Sequence, residues 1–178
     1  MPGALWAGVA IVVLAALGFV LFQKLQSGVR FPDTIAGYQH DESQVAGAAT
    51  DFMEKALKSA GVEAKAAIYG DISTTGFMVI TFDTNGSPIP GGLEDFAGGF
   101  AGSSGGSVST GDPVTETRDG VTYRCAAIIL DRPTTTGDPR AVCVWSDQDT
   151  GGFIIDAVSP NTTAAMDLAS NVRDSVAG

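Results

Sequence analysis

An uncharged apolar run near the N-terminus constrains this chain most. Residues 3–22 read GALWAGVAIVVLAALGFVLF and contain neither a charged residue nor a proline. A helix of about 20 residues, at a rise of about 1.5 Å per residue, spans about 30 Å, which matches the hydrocarbon core of a bilayer. Because a helix satisfies its own backbone hydrogen bonds inside that core, the run predicts one transmembrane helix that anchors the chain in a lipid bilayer.

A cleaved signal peptide is the main alternative for this run, and a buried core helix is a lesser one. No lysine or arginine precedes the run, and residues 23–27 (QKLQS) lack the small-residue pattern of a cleavage site. We therefore expect an uncleaved single-pass anchor at residues 3–22. A short stalk at residues 23–30 and one domain at residues 31–178 follow it, since about 150 residues is the usual size of one domain.

The charge distribution gives opposing signals about orientation. Lys24 and Arg30 follow the run, which favours a cytoplasmic domain by the positive-inside rule. Residues 31–178, however, hold all 20 acidic residues and eight of the ten basic ones, a formal net charge of −12. This acidic, lysine-poor composition, together with a single cysteine pair, favours the extracytoplasmic side of the cell membrane. The negative charge also argues against nucleic acid as a partner, because phosphate binding needs clustered lysine and arginine.

The two cysteines of the chain are Cys125 and Cys143. Outside the cytoplasm, two cysteines in one small domain usually form a disulfide. Each lies in a segment with the pattern of a strand, where Tyr123 shares a face with Cys125 and Trp145 shares a face with Cys143. We expect the two strands to form an antiparallel hairpin that the disulfide bridges, with the two aromatic side chains packed beside it.

Strand patterns dominate the domain. Asp119-Gly120 is a strong signal for a two-residue hairpin turn. Hairpin-length links between strands favour an antiparallel sheet. The predicted strands are residues 62–69, 76–83, 113–118, 121–130, 140–147 and 153–159.

Two amphipathic helices flank these strands. Asp41 and Gln44 are spaced like a capping box before the first helix, and Gly61 is a natural stop. The second helix opens at residues 160–162. Two helices on one face of the sheet give a two-layer α+β domain. The expected buried stripes are Val45, Ala48, Ala49, Phe52, Ala56, Leu57 and Ala60 in the first helix, and Ala165, Leu168, Ala169, Val172 and Val176 in the second.

Residues 84–112 form a glycine-rich insertion between two groups of strands. Leu93, Phe96 and Phe100 are spaced for a short amphipathic helix, whereas the surrounding glycines favour a loop. We expect a flexible insertion held down by its two phenylalanines. The alternative is a mobile binding loop, because long loops in compact domains are often functional.

Few residues suggest chemistry. His40 is the single histidine and lies in an irregular lead-in, where we expect it to be exposed to solvent and unable to form a zinc or catalytic site. Asp147 and Asp149, with Asp156 nearby, resemble the start of a calcium loop, but the further oxygen ligands and the distal glutamate are missing. An acidic turn explains them more simply. We therefore expect no catalytic residue and no cofactor, with these three aspartates as weak metal candidates.

Several features resemble a group of membrane-anchored envelope proteins of high-GC Gram-positive bacteria. They are the apolar N-terminus, the lead-in FPDTIAGY, the phenylalanine-bearing glycine-rich loop, and the ending CVWSDQDTGGFIID…AAMDLASNVRD. The resemblance covers most of the chain, and its most specific motif is the run at Cys143, Trp145 and Asp147. It implies an extracytoplasmic, disulfide-bonded α+β domain, and it does not indicate any enzymatic activity.

Together these observations predict a membrane-tethered, non-enzymatic domain of the cell envelope that serves an interaction or structural role. An envelope protein is the expected class of partner beyond the lipid bilayer. The alternative is an envelope enzyme or ligand-binding protein, calcium-dependent in one version, built on Asp147, Asp149 and Asp156.

Overall fold

A computed structural model describes residues 29–59, 62–71, 74–83, 107–132, 135–136, 139–147, 150–156 and 160–176. The chain divides into two compact units, Met1–Arg30 and Phe31–Gly178, and the second contains every helix and strand among these residues. None of the helices in the described ranges combines the length and apolar character needed to cross a membrane. The predicted span at residues 3–22 and its stalk up to residue 28 lie outside those ranges.

The second unit is an α+β structure of ten strands and two helices in its described part. A small hairpin comes first, then a helix, eight strands that form one sheet, and a second helix. In chain order the elements are β1 (Thr34–Ile35), β2 (Tyr38–Gln39), α1 (Gln44–Ser59), β3 (Ala64–Tyr69), β4 (Phe77–Asp83), β5 (Ser107–Thr110), β6 (Val114–Arg118), β7 (Val121–Arg132), β8 (Thr135–Thr136), β9 (Arg140–Ser146), β10 (Thr150–Asp156) and α2 (Thr162–Val176).

The main sheet has the strand order β3-β4-β10-β9-β7-β5, and each described strand pair in it is antiparallel. The long strand β7 pairs with β6 over its first half and with β5 over its second half. The predicted antiparallel sheet is therefore confirmed. Several boundaries differ from the sequence prediction, two of them by the most. Ser107–Thr110, assigned to the glycine-rich insertion, forms β5, and β10 begins at Thr150 rather than residue 153.

The sheet lies between two helices, so the prediction of two layers with both helices on one face is wrong. On one face, Cys143 and Ile154 pack in a core cluster with Ala169 of α2. On the other face, Phe82 packs in a second cluster with Met53 of α1. The reason is visible in β9, where five consecutive residues from position 141 to 145 are buried, because both faces of the strand are covered.

The first helix is rotated about its axis relative to the sequence prediction. Ala46 and Met53 are its buried residues, whereas Val45 and Phe52, predicted to face the core, are exposed. Its N-cap also differs, because the Ser43 hydroxyl accepts the Ala46 N–H at 3.2 Å. Asp41, the predicted cap, accepts the Ser43 N–H at 2.9 Å instead.

The second helix agrees with the sequence prediction. Asn161 Oδ1 accepts the backbone N–H groups of Thr163 and Ala164 at 3.0 and 3.2 Å, which caps the first turn. Ala165, Ala169 and Val172 are buried as predicted, Met166 joins them, and Leu168 and Val176 are partly buried against the same cluster.

The β6–β7 hairpin and the disulfide are both confirmed. Asp119 and Gly120 have φ values of 50° and 80°, as a two-residue turn with positive φ at both central positions requires. Cys125 lies directly opposite Cys143 in the β7–β9 pair, with their Cα atoms 4.0 Å apart, and the two form a disulfide. Tyr123 lies opposite Trp145 in the same register, so the aromatic pair packs beside the bridge.

Candidate functional site

The helix α1 presents one apolar side to solvent. Val45 keeps 79% of its surface exposed and Phe52 keeps 60%, the largest exposed fractions among the large apolar side chains that the structure describes. The two residues are seven positions apart, so they lie within about 20° of each other around the helix. Ala48 and Ala56, which are also exposed, extend the same side. We call these four residues the α1 face.

Contacts on the opposite side of α1 fix its orientation. Glu54 Oε1 accepts the backbone N–H of Ala66 in the edge strand β3 at 3.0 Å. Glu54 Oε2 lies 3.6 Å from Lys65 Nζ, an exposed ion pair that adds little free energy. Met53, beside Glu54, is buried in the core. The α1 face therefore points outward because the other side of the helix is held against β3.

Charge is arranged along α1 from one end to the other. Asp41 and Glu42 precede its first turn, and Lys55 and Lys58 lie in its last two turns, with all but the half-buried Asp41 exposed. The lysines of residues 31–178 are these two and Lys65 on the neighbouring strand. Three of the eight basic residues of the domain therefore lie on or beside α1, together with the acidic residues Asp51, Glu54 and Glu63.

The predicted metal candidates do not all lie together. Asp147 follows β9 and Asp156 ends β10, so the two aspartates stand at opposite ends of that strand, about 20 Å apart along an extended backbone. Asp149 lies outside the described residues. Within the described ranges, there is no group of three or more histidine, cysteine, aspartate or glutamate residues that could hold a metal ion.

The carboxylate of Asp147 makes structural contacts. Its Oδ1 accepts the Thr150 backbone N–H at 2.8 Å, which closes the β9–β10 turn. Its Oδ2 accepts two guanidinium N–H groups of Arg173, at 3.3 Å from Nε and 3.2 Å from Nη2. Hydrogen bonds with Asp174 and with Asp147 both raise the pKa of Arg173. These contacts tie the turn to the last part of α2.

His40 is half-buried rather than exposed, which corrects the sequence prediction. It forms an isolated antiparallel bridge with Tyr69, and the two rings stack with their centroids 5.2 Å apart. Tyr69 donates a hydrogen bond from its hydroxyl to the Pro32 carbonyl oxygen at 2.7 Å. Burial, and secondarily the charge of Asp33, raises the pKa of Tyr69 to about 12. The contacts at His40 fasten the lead-in to the end of β3.

A second charged group joins β6 to α2. Arg118 donates to Glu116 from Nε at 2.9 Å and to Asp167 of α2 from Nη1 at 2.7 Å. The hydrogen bond from Arg118 lowers the pKa of Glu116. Because the Glu116 and Asp167 side chains keep 49% and 61% of their surface exposed, these ion pairs contribute little to stability.

Among these surfaces, the α1 face is the one whose large apolar side chains are exposed to water. The sequence contains its residues but offers no direct signal that they face outward, since the spacing of Val45 and Phe52 is equally typical of a buried stripe. No family model, curated protein or solved structure matches this chain.

Proposed function

We propose that this protein is a membrane-tethered, non-enzymatic interaction domain of the cell envelope, located outside the cytoplasm, that binds a protein partner through the α1 face. The observation that carries this proposal is the exposure of Val45 and Phe52 on one side of a helix. Large apolar side chains that lie together on an exposed helix face offer a surface that another protein can cover.

The disulfide supports the proposed compartment. Cys125 and Cys143 are fully buried and bonded, and structural disulfides persist mainly in oxidising environments. The apolar run at residues 3–22 supports the tether. The sequence resemblance to envelope proteins of high-GC Gram-positive bacteria supports the same location.

The side-chain contacts favour an interaction role over catalysis. The carboxylate of Asp147 closes the β9–β10 turn, and that of Glu54 holds α1 against β3. Both therefore have structural roles. His40 packs on Tyr69 within the fold. The alternative, a calcium site, would require the Asp147 carboxylate to give up its hydrogen bonds to Thr150 and Arg173 in order to bind the ion.

Site-specific photocrosslinking tests the interaction role. A photoreactive amino acid replaces Phe52 in the full chain, which is expressed in its native membrane and irradiated. A matched control places the same amino acid at Asn171, an exposed position on α2. We expect a crosslinked protein product at position 52 and much less at 171. Absence of any product at position 52 contradicts the interaction role.

Protease accessibility tests the location. An unstructured epitope tag added after residue 178 should be removed by protease added to intact protoplasts, and thiol labelling under denaturing conditions should find Cys125 and Cys143 oxidised. Protection of the tag until the cells are lysed would show that the domain is cytoplasmic.

A further inference from the structure

The exposed side of α1 is self-complementary. Carboxylates precede the helix, the α1 face itself is apolar with Asp51 and Glu54 on other sides of the helix, and lysines lie near its end. If two such helices lie antiparallel, the acidic end of each meets the basic end of the other. A parallel pair would instead place like charges together at both ends.

A two-fold axis between positions 48 and 49 brings the relevant residues opposite each other. Position 45 of one helix then faces position 52 of the other, so Val45 packs on Phe52 twice. Ala48 and Ala49 lie at the crossing point, where their small side chains allow the two helices to approach closely. In the same register Glu42 of one copy lies opposite Lys55 of the other. The apolar and charged pairings therefore agree on one register.

We propose that the partner of the α1 face is a second copy of this chain, bound through an antiparallel, two-fold symmetric pairing of the two α1 helices. This inference rests on the proposed interaction role and names its partner. Such an interface uses the same patch on both subunits, as two-fold dimers do. In this register the lysine-bearing end of each α1 meets the acidic end of the other, so these charges attract although each domain has a net charge of −12.

Tethering makes a small interface sufficient. A pair of helices buries less area than a standard stable interface, so the affinity of the free domains is modest. Two copies held in the same membrane meet at a raised effective concentration, which increases the dimer fraction without new contacts. We therefore expect the dimer to form in membranes and to dissociate when the protein is diluted in detergent.

Charge reversal tests both the partner and the register. Full-length chains with two different tags are co-expressed, and the amount of one tag that co-purifies with the other is measured in native membranes. Glu42→Lys and Lys55→Glu should each reduce self-association by about tenfold, since each reversal replaces two attractive contacts per dimer with repulsive ones. A mixture of the two variants should associate nearly as well as the wild type. Equal association of every combination would overturn the register.

Single-cysteine crosslinking tests proximity independently. Ala48→Cys lies beside the proposed axis, and the native cysteines are buried in their own disulfide. Mild oxidation of membranes should give a disulfide-linked dimer with this variant and not with the control Asn171→Cys, on the helix that packs against the other face of the sheet. Equal dimer yields at the two positions, or none at position 48, would overturn the proposal.

The mass of the photocrosslinked product at position 52 distinguishes the general interaction role from the specific proposal that the partner is a second copy. A product of twice the chain mass supports both the interaction role and the second copy. A product with a different protein, and no homodimer, refutes the second copy and retains the interaction role. No product at all refutes both.

Phe52→Asp should abolish the homodimer while the domain remains resistant to protease, because Phe52 contributes to the surface and not to the core.

Discussion

The Cys125–Cys143 disulfide should set a large part of the stability of the domain. The bridge closes a loop between residues separated by 18 positions. In the chain-entropy model, a loop of this size restricts the unfolded chain enough to stabilise the folded state by about 3 kcal/mol. Both cysteines are fully buried on the face of the sheet covered by α2, so their replacement also removes packing. We expect reduction to cost about 3 kcal/mol and Cys125→Ala/Cys143→Ala to cost about 1–2 kcal/mol more.

Pulse proteolysis of the purified full chain in mild detergent measures this effect across a urea series. With a denaturant dependence of about 2 kcal/mol per molar urea, the loss of about 3 kcal/mol moves the unfolding midpoint down by about 1.5 M. Because a domain of ordinary stability has only about 5–15 kcal/mol in total, the reduced protein should remain folded in buffer but unfold at clearly lower urea.

The double alanine variant is also the control for the reductant. A reducing agent should lower the midpoint of the wild type and leave the midpoint of the variant unchanged. Thiol labelling should verify the redox state of each sample. If the oxidised and reduced wild type then unfold at the same urea concentration, the disulfide does not stabilise the fold by restricting the unfolded chain, and the value of about 3 kcal/mol is wrong.

Three further predictions follow from particular contacts. Gly152→Ala should destabilise the domain by about 3 kcal/mol in the same urea assay, because an added Cβ would collide with the Trp145 indole and approach the Ile80 carbonyl oxygen to 2.6 Å. Asn161→Ala should cost about 1 kcal/mol by removing the cap of α2, and Asn161→Ser should recover most of that loss. Between pH 10 and about 12 the stability of the wild type should fall, because the folded state holds the Tyr69 proton more tightly than the unfolded state. Tyr69→Phe should remove that part of the pH dependence, whereas an unchanged profile would assign it to other groups.

The sequence was sufficient to predict the disulfide hairpin because two local signals agreed. Side chains alternate along a strand, so the positions of Tyr123 and Cys125, and of Cys143 and Trp145, fix which groups share a face. Asp119-Gly120 likewise specifies its turn from backbone preferences alone. Such features depend on neighbours along the chain or on one hairpin register. They are therefore within reach of pattern reasoning.

The layer arrangement could not be predicted as easily because it depends on long-range packing. Strand order places β10, late in the chain, between β4 and β9, and no local pattern specifies that insertion. One signal did exist. The run AVCVW in β9 is apolar at both parities, which is typical of a strand covered on both faces. Taken by itself, that run predicts that helices cover both sides of the sheet.

The error in α1 bears most directly on function. The helix carries two apolar stripes, one through Val45 and Phe52 and one through Ala46 and Met53, and a domain can bury only the stripe that meets its sheet. The spacing of Val45 and Phe52 predicts a core face, and the structure buries the other stripe because Glu54 and Met53 are held against β3 and the core. Positions where a local apolar pattern and the fold disagree are expected at functional surfaces, where a second molecule completes the burial. A second copy of α1 would satisfy the pattern and the fold together, since it would cover the stripe that the domain leaves in water.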